Sequence, residues 1–191
     1  MTFQPDSSGN PNKSRIYILL LIVCAVLVFL PGTGRRHLWN PDEPRVAGIG
    51  AEMARTGDLV VPRLNGEPFL EKPPIYFWVL SASFRLLGDT HFAARLPSAL
   101  AAIGGVLLIF LLARAMGFSP LSAFFSGFVL ATAMEYWEMA DECMIDMTLT
   151  LLTAATMVTY YQSVRADSKR LLWWAGFVLS LSAAVMAKGL V

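Results

Sequence analysis

Charge is scarce in this chain. Of its 191 residues only 15% are Asp, Glu, Lys or Arg, and 15 basic against 14 acidic side chains leave a formal net charge of +1. Near-neutrality removes any whole-chain electrostatic case for nucleic acid or another strongly charged partner. Cysteine is rarer still: Cys24 lies inside one apolar run and Cys143 near another, so neither a disulfide framework nor a cysteine metal motif is present. His37 and His91 likewise form no recognisable metal motif. Apolar residues fill the gap. They make up 55% of the chain and raise its mean hydropathy to +0.55, which excludes an ordinary soluble domain and predicts an all-α integral membrane protein.

Residues 1–15 are polar and rich in Ser, Asn and Pro, which reads as a short disordered cytoplasmic lead. An apolar run over 16–31 follows. Its basic flank fits a signal peptide, but the core is long and no small-x-small site follows Pro31, so an uncleaved first span is preferred. Further apolar runs are Ile75–Leu87, Leu96–Ala113, Pro120–Met134, Met147–Tyr161 and Leu171–Ala187. Several fall short of the ~20 residues that cross a hydrocarbon core. Tyr17, Tyr136, Trp137, Tyr160, Tyr161, Trp173 and Trp174 at their ends extend them into the headgroup layer.

Ile75–Leu87 follows Pro73-Pro74, is short, and carries Arg85, which predicts an amphipathic helix lying in the interface. Val46–Thr56 reads as a second such helix, with Asn40 or Asp42 as its cap. About five spans remain: the first over 16–31, then a long loop over 32–95 bearing both interfacial helices, then four spans within 96–191. Lys13 and Arg15, then Arg114, then Arg165, Lys169 and Arg170 fall on one side of that topology. By the positive-inside rule that side is cytoplasmic, and the loop is periplasmic.

The same topology gathers Asp42, Glu43, Arg45, Glu71, Lys72, Asp141, Glu142, Asp146 and Lys188 on the opposite face. Each has an ordinary reading too. Glu71-Lys72 fits a solvated loop pair, Asp146 a helix cap, Lys188 a snorkelling lysine, and Arg95 an anchor for the second span. Glu135, Glu138 and Glu142 are expected to share one helical face, read as a solvated acidic end rather than a cation site.

Five strings in fixed order carry a resemblance: Trp39-Asn40-Pro41-Asp42-Glu43-Pro44-Arg45, Glu71-Lys72-Pro73-Pro74, Ala94-Arg95-Leu96-Pro97-Ser98-Ala99, Ile145-Asp146-Met147 and Ala187-Lys188-Gly189. From about Trp39 onward the chain resembles the GT-C glycosyltransferases of the ArnT-like (aminoarabinose transferase) and protein O-mannosyltransferase branch, the ArnT-like side more closely. The resemblance implies an inner-membrane enzyme that moves a sugar, with inversion, from a polyprenyl phosphate donor to a periplasmic acceptor such as lipid A or a protein. It implies catalytic roles for Asp42, Glu43 and Asp146, donor-phosphate binding by Lys72 and Lys188, and a divalent metal on Glu71 whose remaining ligands lie outside this chain. No nucleotide cofactor is implied. Members of that branch have more than twice as many spans, so the chain is expected to be the N-terminal part of a longer protein. The other readings are a noncatalytic subunit that binds polyprenyl lipid and a transporter or flippase segment.

The chemistry is consistent on its own terms. A polyprenyl phosphate departs as an anion, so cations at a partly dehydrated interface lower the barrier where charge develops. Arg45, Lys72 and Lys188 suit that task. A hydroxyl acceptor calls for a general base, for which Asp42 is placed; a phosphate acceptor does not.

Overall fold

The structure is a computed structural model that describes residues 11–39, 41–166 and 168–189. The described residues form eight helices and one small hairpin, in order: α1 Pro11–Phe29, α2 Asp42–Thr56, β1 Arg63–Leu64, β2 Glu67–Pro68, α3 Ile75–Leu87, α4 His91–Ala115, α5 Pro120–Ala131, α6 Met134–Ala140, α7 Ile145–Arg165 and α8 Arg170–Lys188. This is an all-α membrane architecture. Among the described residues, α1, α4 and α8 are each long and apolar enough to cross a membrane; α6 and α7 reach that length and apolarity only taken together, and they are bent by 117° at their junction.

The contacts fix the direction of each pass. Arg95 near the start of α4 pairs with Glu43, Ser98 one turn on donates to the carbonyl of Met144 just before α7, and Lys188 at the end of α8 pairs with Asp146. The starts of α4 and α7 and the end of α8 therefore share one end of the bundle. At the other end Arg114 donates to the carbonyl of Phe118, and Tyr160 packs against Trp174. Tyr17 meets Phe124 low on α1, and Phe29 meets Tyr136 high on it. The chain thus traverses the bundle five times in alternating directions, and the basic residues from Arg114, Arg165 and Arg170 collect at the end opposite the acidic cluster.

The third traverse departs from expectation. A single span over Pro120–Met134 was expected, but α5 has 12 residues, a rise of roughly 18 Å. Thr132 and Ala133 break the helix, and α6 completes the climb. A second break, after α6, divides the acidic stretch: α6 stops at Ala140 and α7 starts at Ile145, so Glu142 is not on one helical face with Glu135 and Glu138. At the N-terminus the helix already begins at Pro11, so it takes in the last five residues of the segment read as a lead; residues 1–10 lie outside the described part.

Apart from the bundle core around Leu21, Ala102, Val106, Phe110 and Met147, a second core forms over residues 42–95. There α2 buries Val46, Ile49 and Met53 against Tyr76, Phe77, Leu80 and Phe84 of α3. Gly50 lets the two helices close, since a Cβ there would stand 2.5 Å from Leu80 Cγ. Both helices expected in this loop from the sequence are present, α3 with the expected limits. The two-residue strands between them were not expected, and follow from Asn65-Gly66, both at positive φ (54° and 85°) as a tight hairpin turn requires. This platform rests on the starts of α4 and α7.

Candidate functional site

The charged side chains at the platform end divide into a sealed cluster and an open cleft. In the sealed cluster Glu43, 0% exposed, accepts from five groups. Arg95 gives Nε to Oε1 at 2.9 Å and Nη2 to Oε2 at 3.0 Å, Arg36 gives Nη1 at 3.1 Å, and the amides of Trp39 and Cys143 each donate at 2.8 Å. Arg95, also 0% exposed, spends its other protons on the carbonyls of Arg36 and His37. Arg36 continues to the carboxylate and carbonyl of Asp141.

Burial would raise the Glu43 carboxyl. The hydrogen bonds from Arg95, Cys143 and Trp39, together with the Arg95 charge, overcome that and hold it below the ordinary glutamate range. For Arg36, burial alone would lower the guanidinium; its bond to Asp141 and the charges of Glu43, Asp141 and Glu142 leave it raised. The buried charges are therefore all paired, as burial in a low dielectric demands.

Beside this cluster lies a cleft of about 150 Å³, lined by Asp42, Arg45, Lys72, Asp146 and Lys188 among Val46, Phe69, Phe77, Met144 and Ile145. At ~30 Å³ per water it holds roughly five waters, enough for a phosphate group. Arg45 Nη2 donates to Asp42 Oδ1 at 2.7 Å, stands 3.9 Å from Glu71 at its Nη1, and lies over the Phe69 ring at 5.8 Å. Lys188 is paired with Asp146. Among the described residues no ion pair involves Lys72, so it is the cleft cation most open to an added anion.

The structure therefore brings together five of the seven residues singled out above. Glu71 stands at the rim with 65% of its side chain exposed. Glu43 does not face the cleft, and with both oxygens occupied and no exposure it has no proton-transfer geometry; its place is behind Asp42, as a positioning group. Asp42 and Asp146 serve as caps at neither helix start: α2 is preceded by Pro41 and α7 by Met144, with no side-chain cap bond at either. Asn40, the other candidate cap, lies outside the described residues. Lys188 turns to Asp146 rather than snorkelling alone, and Arg95 is a buried ion-pair partner rather than a membrane anchor.

Sequence reasoning missed Arg36 altogether. Its only local signal is the Arg35-Arg36 pair just ahead of the acidic motif. As for a metal, among the described residues no three or more His, Cys, Asp or Glu come together to hold an ion.

Comparison with known proteins follows this geometry. The family model for dolichyl-phosphate-mannose-protein mannosyltransferase matches residues 14–191. The chain is 32% identical over 182 residues to undecaprenyl phosphate-alpha-4-amino-4-deoxy-L-arabinose arabinosyl transferase 2 of Proteus mirabilis, covering 94% of this chain and 33% of that protein. To the arabinosyl transferase of Serratia proteamaculans it is 35% identical over 153 residues, covering 80% and 27%. The crystal structure of ArnT from Cupriavidus metallidurans bound to undecaprenyl phosphate superposes with a TM-score of 0.83 at 29% identity, over 91% of this chain and 32% of that one. The chain spans about a third of the length of the curated relatives it matches.

Proposed function

Because the chain belongs to the dolichyl-phosphate-mannose-protein mannosyltransferase family, we propose that it forms the N-terminal, phosphate-binding part of a glycosyltransferase that moves a sugar from a polyprenyl phosphate to an acceptor at the outer face of the bacterial inner membrane. The observation that carries this reading is the cleft, where Arg45, Lys72 and Lys188 converge with Asp42 and Asp146. Three cations against two carboxylates leave the cleft walls with one surplus positive charge, complementary to a phosphate. The acidic cluster and cleft sit at the end opposite Arg114, Arg165 and Arg170, which supports a periplasmic site by the positive-inside rule.

In the reaction, an acceptor oxygen attacks the anomeric carbon from the side opposite the phosphate. The carbon–oxygen bond to phosphate breaks, the leaving phosphate keeps the electron pair, and configuration inverts. Lys72 meets the developing charge first, being free of an ion pair, and Arg45 and Lys188 reinforce it by turning partly from Asp42 and Asp146. With a hydroxyl acceptor, Asp42 takes the proton, and its bond to Arg45 keeps it aimed. With a phosphate acceptor no proton needs removal, and Asp42 orients the nucleophile.

The sealed cluster supports this by placement. Glu43 holds the amide of Cys143, three residues before Asp146, and is itself next to Asp42. It therefore sets the spacing of the two cleft carboxylates. Incubation of the full-length protein with a polyprenyl-phosphate sugar tests the reading: acceptor-dependent release of free polyprenyl phosphate supports it, and binding without release points to a noncatalytic lipid-binding subunit instead.

A further inference from the structure

Next to the sealed cluster, and apart from the cleft, a second hollow of about 240 Å³ opens at the outer end of α1. Phe29 and Pro31 at that end, Arg35 and Arg36 just beyond it, and Trp137 and Asp141 of the α6 region line it, among others. It shares no lining residue with the cleft. With 19 residues, α1 rises roughly 28 Å, so it ends at about the level where a ~30 Å hydrocarbon core gives way to headgroups. Leu20, Val23 and Leu27 are exposed at the spacing of one helical face, and that face leads up to Pro31. Trp137, 46% exposed beside it, is the type of side chain that settles at headgroup level.

Arg36 and Asp141 in this hollow are committed to the cluster, Arg36 to Glu43 and the two to each other. Arg35 is not: its side chain is exposed and has no hydrogen bond or ion pair among the described residues. Two further atoms are open in the same sense, the indole N–H of Trp137 and Oδ1 of Asp141, since Arg36 takes only Oδ2 of that carboxylate. The hollow therefore offers a phosphate one free guanidinium and one N–H donor, and offers an ammonium one carboxylate oxygen. We propose that it binds the headgroup of a zwitterionic phospholipid with a primary ammonium, phosphatidylethanolamine in type, with phosphate on Arg35 and ammonium on Asp141. The acyl chains then run down the face of α1 that carries Leu27, Val23 and Leu20. A purely anionic headgroup fits less well, because it brings negative charge to Asp141 where Glu138 and Glu142 stand within electrostatic reach. A quaternary ammonium has the charge but no N–H to donate. A lipid seated there shields the Arg36–Asp141 pair from water and so reinforces the cluster that spaces Asp42 and Asp146.

Native mass spectrometry of the full-length protein in detergent tests this, with dioleoyl phosphatidylethanolamine, phosphatidylcholine and phosphatidylglycerol supplied at equal concentration. The parent is expected to retain phosphatidylethanolamine several-fold over the other two. Arg35→Ala removes the free guanidinium from an exposed site and is expected to weaken that retention about tenfold, the value of a charge-assisted hydrogen bond. Asp141→Asn keeps the shape without the charge and is expected to bring phosphatidylethanolamine down to the level of phosphatidylcholine. Arg55→Ala, also exposed but in the last turn of α2, is the control and is expected to match the parent. Equal retention of the three lipids by the parent overturns the assignment, as does an Arg35→Ala protein that holds phosphatidylethanolamine as the parent does. Neither result bears on the cleft, whose lining is separate.

Discussion

Arg95 and Glu43 meet across 52 residues of sequence in two parallel hydrogen bonds, 2.9 and 3.0 Å long, with 0% and 1% of their side chains exposed. This pair joins α2, α4 and the α6–α7 junction at one point. Removing one partner leaves an uncompensated buried charge, so Glu43→Gln is expected to cost about 3 kcal/mol of stability. The fall in thermal unfolding midpoint in detergent measures it; an unchanged midpoint would show that the pair is not the joint described.

The same carboxylate gives the fold an acid dependence with a defined sign. Its folded value lies below that of an unfolded glutamate, so its stabilisation is complete above about pH 4.3, the ordinary glutamate value, and is lost as pH falls through the lower folded value. Acidification is expected to depress the midpoint of the parent protein more steeply than that of Glu43→Gln. Parallel curves for the two would remove Glu43 as the source.

Much of this was legible in the chain. The limits of α3 follow from Pro73-Pro74 at one end and Gly88 at the other, and five of the seven proposed site residues do share one cleft because topology had already put them on one face. The sealed cluster was not legible. A buried arginine pairing across 52 residues leaves no periodic trace, and an arginine preceding an apolar run looks the same whether it anchors the membrane or enters a core. The early stop of α5 was hidden for a related reason: Thr132 and Ala133 interrupt the helix without the proline or glycine that marks most breaks.

Lys72 and Lys188 are expected to differ. Lys72 faces the cleft without an ion pair, whereas Lys188 is already held by Asp146. Lys72→Ala should weaken undecaprenyl phosphate binding by about tenfold or more, the value of a charge-assisted hydrogen bond. Lys188→Ala should lose less, because its charge is partly spent. Calorimetric titration at fixed ionic strength separates the two, and the reverse order would move the phosphate toward α8.

The orientation of the bundle is open to direct chemical reading. A cysteine introduced at Glu67, in the exposed hairpin, is expected to react with a membrane-impermeant thiol reagent on cells whose outer membrane has been opened. One at Met116, beyond α4 at the opposite end and 49% exposed, should react only after lysis. Cys24→Ser and Cys143→Ser provide the background. Labelling of Met116→Cys in intact spheroplasts would invert the topology and move the cleft to the cytoplasm.

Asp42 carries the central claim, since it lies in the cleft and is aimed by Arg45 at 2.7 Å. With a hydroxyl acceptor, replacing it by asparagine removes the base but not the shape, for an expected loss of about 100-fold or more in turnover with donor binding retained. The most direct measurement is mass spectrometry of polyprenyl-phosphate sugars and lipid A from cells carrying the intact gene, the Asp42→Asn gene, or none. Accumulation of one carrier-linked sugar together with loss of its decorated acceptor, in both the mutant and the null, is the predicted result. Pools that do not differ among the three strains would contradict it.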